Sequence, residues 1–305
     1  MEPQKPMPGE HITEEVARKK LNEMNLINGF LFDSVLENQE DAIKVTQAIL
    51  TTTFNRVITV VNVTSQRTYN GVDSDMHGIR LDAQIIPQED GTLAATIFDV
   101  EMEDRAADKD ELPFRLRYYT ALSDDKYVKT GKSYMTLPNF VTITISSYDP
   151  FDAGDMYYEA KTILTTHPNI EYKDGLLHIF LYCKGKLNHQ LSPEHGKKLT
   201  EMLKYIVSGE KPTAPNTDIE TIDDIVTQVK KKPEVTISFM KQWDREDHIR
   251  RDTREETKSE DGLGFIRFAR SNGIPDAKIR SHLTLEMKLS NEIIEDLFVQ
   301  ADAKK

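Results

Sequence analysis

Two short runs, residues 78–82 and 98–103, concentrate the carboxylates that could hold a divalent cation. Between them Gln88-Glu89-Asp90-Gly91 carries the Asp-Gly signal of a hairpin turn, so the runs are expected to pair as antiparallel strands. Strand side chains alternate between faces, which puts Arg80 and Asp82 on one face of the first run. On the second run Asp99, Glu101 and Glu103 share a face, while Phe98, Val100 and Met102 point the other way. The apolar set makes a core face. Carboxylates gathered on one sheet face repel one another, and a divalent cation would relieve this, because hard ions such as Mg²⁺ take carboxylate oxygens and water. One Asp from the first strand and one Glu from its neighbour suffice as protein ligands. The same pattern also fits a solvent-exposed acidic face on a plain hairpin.

The flanking chain supplies the elements that must position these residues. Residues 1–20 form a leader, rich in proline up to Gly9 and with helical character from Glu14 to Leu21. A short helix over 30–37 places Glu37 near its end, where it either approaches the hairpin acids or stays solvated. A second helix runs from Glu40, with Ala42, Ile43, Val45, Ala48 and Ile49 at helical spacing. The β-branched run 57–63 reads as a strand and 64–77 as a polar loop. Beyond the hairpin, 112–126 reads as a helix on which Arg115 and Tyr119 stack one turn apart, with Arg117 on another side. An arginine near an acidic site can hold a phosphate through two parallel hydrogen bonds.

Residues 140–148 largely alternate apolar and hydroxyl side chains, a strand ended by the turn at 149–154. Further strands are expected at 156–165 and 175–183, and a helix capped by Ser192 runs to about Val207. Pro212 and Pro215 mark a boundary in 209–216. After it the chain turns helical and charged, with a helix at 223–232, a long one at 234–260 with interleaved signs, and short ones at 262–272, 275–285 and 290–300. The long helix holds too few apolar residues for a globular core, which suits a solvated helix or a coiled-coil partner. The helices at its end suit partner binding, DNA binding or simple packing on a neighbour. The resulting plan is a leader (1–20), an α/β domain with a mixed central sheet flanked by helices (21–208), a linker and short helix (209–233) and a charged all-helical C-terminal region (234–305).

Composition narrows the functions. A net charge of -12 over 305 residues argues against a broad basic surface, so nucleic acid would have to meet local basic clusters. Cys183 is the only cysteine, which excludes an intrachain disulfide and a cysteine-built zinc site and reads as a core residue. No apolar run reaches the length of a membrane span, so no membrane partner is expected and the chain reads as cytoplasmic. His189 and His195 read as loop residues and not as metal ligands. No Walker A motif, Gly-x-Gly-x-x-Gly, nucleophile elbow or internal repeat is present.

Read with its flanks, the hairpin resembles the PD-(D/E)XK nuclease family transposases, the group that includes the recombination-promoting nucleases. Gly78-Ile79-Arg80-Leu81-Asp82 resembles that family's GIRLD strand, and Val100-Glu101-Met102 the start of its VEMQ strand. Leu112-Pro113-Phe114-Arg115-Leu116-Arg117-Tyr118-Tyr119 is similar to its LPKRSRYY helix. Tyr148-Asp149-Pro150-Phe151-Asp152-Ala153-Gly154 resembles its FDPFGKG turn, and the pieces at 172–175 and 179–185 resemble its LGDG and IFLNTKG. These motifs occur in the family's order over roughly residues 24–208, and more weakly in the helical tail. The resemblance implies a restriction-endonuclease-like core that cuts DNA with Mg²⁺ or Mn²⁺. It implies Asp82 and Glu101 as metal ligands, and Glu103 as a third catalytic residue that orients or deprotonates water. The family places Gln or Lys at this third position, so Glu103 is a departure that adds negative charge beside a phosphodiester. Arg115 and Arg117 are the phosphate-binding candidates, and Glu37 the candidate helix acid. The expected function is a DNA endonuclease acting in recombination, with the helical C-terminal region able to join copies into a homo-oligomer. The alternative is a nuclease-derived protein without catalysis that works as a binding module.

Overall fold

A computed structural model describes residues 11–69, 79–87, 96–127, 131, 133–187 and 191–303, the side chains of 65–69 and 79–87, and those of 108 and 255, lying outside the description. The described residues form two compact units, Arg18–Thr236 and the stretch from Ile237 onward together with residues up to Ala17.

The larger unit is built on a six-stranded mixed sheet in the order β1-β2-β3-β4-β6-β5. Its strands are β1 (Val60–Tyr69), β2 (Ile79–Pro87), β3 (Thr96–Glu103), β4 (Asn139–Ser146), β5 (Tyr157–Ala160) and β6 (Leu176–Tyr182). β1, β2 and β3 pair antiparallel in chain order. β3, β4 and β6 are parallel, and β5 closes the far edge antiparallel to β6. The expected pairing of the two acidic-site runs is present as the β2–β3 ladder, with Ala83 opposite Val100 and Gln84 opposite Asp99. Residue 78 and the turn expected at 88–91 lie outside the described residues, as does most of the loop expected at 64–77. The start of that loop belongs instead to β1, which begins at Val60, not at residue 57, and runs on to Tyr69.

Helices cover both faces of the sheet. α2 (Gly29–Leu36) and α3 (Gln39–Phe54) start under asparagine caps, since the Asn28 and Asn38 side chains accept from backbone N–H groups of the first turn. α3 lies against β1, and its Phe54 ring meets Phe98 edge-on at 5.4 Å, covering the face that carries Phe98, Val100 and Met102. α4 (Leu112–Asp124) covers the opposite face. Its Leu122 packs with Ile97 and Phe140, and its Leu112 and Leu116 pack with Phe180. α5 (Pro193–Ser208) begins at the Ser192 cap and ends at Gly209. α6 (Thr217–Lys231) buries Ile219, Ile222, Ile225, Val226 and Val229 and packs on α2 and α3. The segment 217–231 therefore belongs with the α/β unit, although Pro212 and Pro215 just before it read as a boundary.

In the remaining elements α1 (Glu14–Glu23) occupies the end of the expected leader, with Ala17 and Leu21 buried. α7 (Pro233–Ser271) is one continuous helix of 39 residues where two were expected. It is followed by α8 (Asp276–Leu285) and α9 (Asn291–Asp302). Ile266, Ala269, Ile279, Leu283, Leu289, Ile294, Leu297 and Phe298 form a core between the end of α7 and these two helices. Arg270 and Arg280 both lie over the Phe298 ring, at 4.9 and 4.0 Å, and pair with acids of α8 and α9. The expected strand at 156–165 is reduced to β5. Among the described residues no helix is long and apolar enough to cross a membrane.

Candidate functional site

β3 sits in the interior of the sheet with neighbours on both sides, so its acids are not on a hairpin edge. Asp99 is 0% exposed, Glu101 5% and Glu103 9%, which overturns a solvent-exposed acidic face. The reason is α4, which lies across that face and cannot be located from strand alternation. Neighbouring strands extend the polar face. In the parallel register Asp99 is level with Thr142, Glu101 with Thr144 and Glu103 with Ser146. The alternation of hydroxyls along β4 thus lies alongside the alternation of acids along β3. These three hydroxyl residues are fully buried and were legible only as a strand pattern, not as site residues.

The polar layer has specific partners. Arg115, reaching down from α4, donates from its guanidinium to Oε1 of Glu103, so helix and strand are joined by an ion pair. Burial works against the charge of Arg115, but Glu103, with Tyr119 and Glu101, outweighs it and holds the guanidinium above its ordinary value. Arg115 Nε is shielded from solvent and has no hydrogen-bond partner among the described residues, as is true of Thr144 Oγ1. Thr142 Oγ1 and His178 Nδ1 are 2.8 Å apart, continuing the Asp99 row onto β6. Burial lowers the His178 pKa, against a smaller opposing pull from Asp174, and so favours the neutral ring.

Glu103 and Ser146 end the parallel strands β3 and β4, the end of an open α/β sheet at which ligands commonly bind. The backbone there is tied together: Ser147 N–H donates to Glu103 O at 3.0 Å, and Ser146 Oγ donates to Tyr148 O at 2.7 Å. The turn that follows is organised by Asp149, which accepts from Phe151 N, Gly154 N and the Tyr158 hydroxyl. Partial burial opposes the Asp149 charge, but these donors outweigh it and hold the carboxyl below its usual value. Gly154 has φ +79°, a conformation that favours glycine, which lets its N–H turn back to Asp149. Lys109 reaches the turn through Asp152, 2.7 Å away.

The candidate residues divide as follows. Asp82 lies on β2; continuing the β2–β3 register by one residue beyond Ala83 and Val100 sets it opposite Glu101, but its side chain is outside the described residues. Glu101 and Glu103 share the buried face with Arg115. Arg117 points away, exposed, with its guanidinium 5.5 Å over the Phe114 ring. Glu37 caps the C-terminus of α2 and is exposed, the solvated of its two expected positions. On the same helix Asp33 has a carboxylate oxygen shielded from solvent, which the expected role for Glu37 overlooked. His195 is in the first turn of α5, not a loop, and its Nε2 lies 3.0 Å from Thr52 O; His189 lies outside the described residues. Cys183 is buried, and burial pushes its thiol up to about 12, as suits a core residue.

Among the described residues no group of three or more His, Cys, Asp or Glu side chains is gathered closely enough to enclose a metal ion. Successive acids on one strand face stand about 6.6 Å apart, so β3 alone cannot chelate one ion with three carboxylates. The donors on this face are oxygen atoms, the type that Mg²⁺ and Mn²⁺ take. The Thr144 hydroxyl, buried and without a hydrogen-bond partner among the described residues, is on the strand position level with Glu101. A cleft of 1150 Å³ opens elsewhere, at the start of the parallel strands, lined by Thr96, Asn139 and Leu176. It is at the opposite end of the strands from Glu103.

Comparison of the chain with family models, with curated proteins and with solved structures gives no match.

Proposed function

We propose that this chain is a metal-dependent DNA endonuclease of the transposase-associated PD-(D/E)XK type, hydrolysing phosphodiester bonds in DNA recombination. What supports the reading most is the buried pair Glu101 and Glu103 on an interior strand, with Asp82 at the register position opposite Glu101. Burying carboxylates is costly unless something of opposite charge repays it, and at Glu103 the Arg115 guanidinium does so. In this reading Asp82 and Glu101 hold Mg²⁺ or Mn²⁺. When bound, the ion supplies an activated water and positive charge facing the scissile phosphate.

The protein's own groups do the rest. Glu103 orients the attacking water and takes its proton through the carboxylate oxygen that Arg115 does not hold. Arg115 fixes that carboxylate and offsets its charge, so it serves Glu103 before it serves the phosphate. Arg117, exposed on α4, is left as the phosphate contact. With a net charge of -12 such local contacts must carry DNA binding. The test is cleavage of an end-labelled DNA duplex by purified protein with Mn²⁺. Cutting that EDTA stops supports the reading; no cutting with any divalent ion contradicts it.

The second reading is a nuclease-fold protein that has lost catalysis and acts as an interaction module. The ion pair on Glu103 favours it, since that carboxylate is already engaged. The helical core at residues 266–298 offers a separate scaffold for a partner or a second copy. Restored cutting by Glu103→Gln would separate this reading from a protein that never was a nuclease.

A further inference from the structure

A phosphodiester brought to the end of β3 meets several carboxylates, so the cations at that end decide whether it is held. Most of the acids there are answered locally. Arg115 pairs with Glu103, three donors serve Asp149, and Lys109 pairs with Asp152. Two lysines at this end are not so engaged. Lys184 and Lys186 follow β6, are exposed, and have no ion-pair partner among the described residues. Asp104, next to Glu103, is exposed as well and pairs with neither.

Backbone bonds fix where these lysines stand. Gly185 N–H donates to Tyr182 O at 3.0 Å, closing a turn with Lys184 at its corner. Cys183 N–H donates to Ser146 O at 2.9 Å. Lys186 exchanges two bonds with the 149–156 segment, donating to Gly154 O and accepting from Met156 N–H, both at 2.8 Å. A Cβ at Gly185 would stand 2.5 Å from Met156 Cα, so only glycine lets the two segments lie this close. Tyr182 is level with Ser146 and so with Glu103. Two strand spacings separate β3 from β6, about 10 Å. A DNA duplex carries one charge per roughly 1.7 Å of its axis, so with one phosphodiester at Glu103 others fall within reach of these lysines.

We infer that Lys184 and Lys186 form a phosphate-binding turn, whose ammonium groups hold the DNA backbone beside the end of β3. The inference rests on the DNA-cutting reading above and adds two contacts to that of Arg117. A lysine ammonium is a point charge without base-reading geometry, so the turn positions DNA of any sequence and specifies none.

The experiment is fluorescence anisotropy of a labelled DNA duplex with the full chain over a series of KCl concentrations, in Ca²⁺ and in EDTA. Native protein is compared with Lys184→Gln, Lys186→Gln, the double glutamine variant and the double variant Lys184→Arg with Lys186→Arg. Arg56→Gln is the control, since Arg56 lines the cleft at the opposite end of the strands. Circular dichroism checks the folding of each. The expected salt slope of log affinity is shallower by about one for each lysine removed, is restored by the two arginines and is unchanged in Arg56→Gln. A native slope in the folded lysine variants, or a loss in Arg56→Gln as large as theirs, overturns the inference while leaving DNA binding in place. A native chain that binds no duplex overturns the DNA-cutting reading itself, and this inference with it.

Discussion

Arg115 on α4 and Glu103 on β3, twelve residues apart in sequence, form an ion pair that pins the helix to the polar face of the sheet. Removing one member of such a pair leaves the other buried without its counter-charge, which is worse than removing both. Arg115→Met is therefore expected to destabilise the chain by about 2 kcal/mol, below the range for fully buried pairs because the guanidinium is partly exposed. The double variant Glu103→Gln with Arg115→Met is expected to recover more than half of this. Urea unfolding of the native chain, both single variants and the double variant measures the coupling.

Thr144 offers a second check, since its hydroxyl is buried without a partner among the described residues. Valine has nearly the same shape and no polar group to strand. Thr144→Val is expected to raise stability by about 1 kcal/mol and to lower metal-dependent cleavage. A loss of stability would mean that the hydroxyl is satisfied in the folded chain.

Asp149 gives a pH dependence of definite sign. Its donors hold the folded carboxyl below the ordinary 3.8, so the unfolded chain takes up the proton first as pH falls. The stability it contributes is complete above that value and disappears as pH drops through the lower, folded value. Asp149→Asn should be less stable than the native chain at pH 7, with the gap narrowing below pH 3.8. A gap that is unchanged at acid pH would contradict this account of the turn.

His178 acts higher on the pH scale. Burial lowers its folded pKa below 6.5, so the unfolded state binds a proton first as pH falls through that value. The native chain should lose stability on going below pH 6.5, and His178→Gln should show less of that loss. Paired thermal melts across this range measure it.

Much of the α/β architecture was legible. The alternation in residues 140–148 marks β4, and the Asp-Gly turn signal matches an antiparallel β2–β3 pair. The setting of the acids was not legible. Asp99, Glu101 and Glu103 alternate as a surface strand would, and only the passage of α4 over that face buries them. Continuity of α7 was hidden for a related reason. Separate helices were expected at 234–260 and 262–272, yet at Gly262 a Cβ would stand 2.9 Å from Leu297 Cδ1 and 3.1 Å from Leu289 Cδ1, so this glycine serves close packing inside a helix. Glu37 was singled out by its place near a helix end, while burial selects Asp33 on the same helix.

The central claim is that the acids of β2 and β3 cut DNA with a divalent ion. Its most direct test is nicking of supercoiled plasmid with Mg²⁺, Mn²⁺ or EDTA by the native chain, Asp82→Ala and Glu103→Gln. The account predicts metal-dependent nicking by the native chain that Asp82→Ala abolishes. Nicking that persists in Asp82→Ala, or none from the native chain, would contradict it; nicking by Glu103→Gln alone would favour the chain that has lost catalysis.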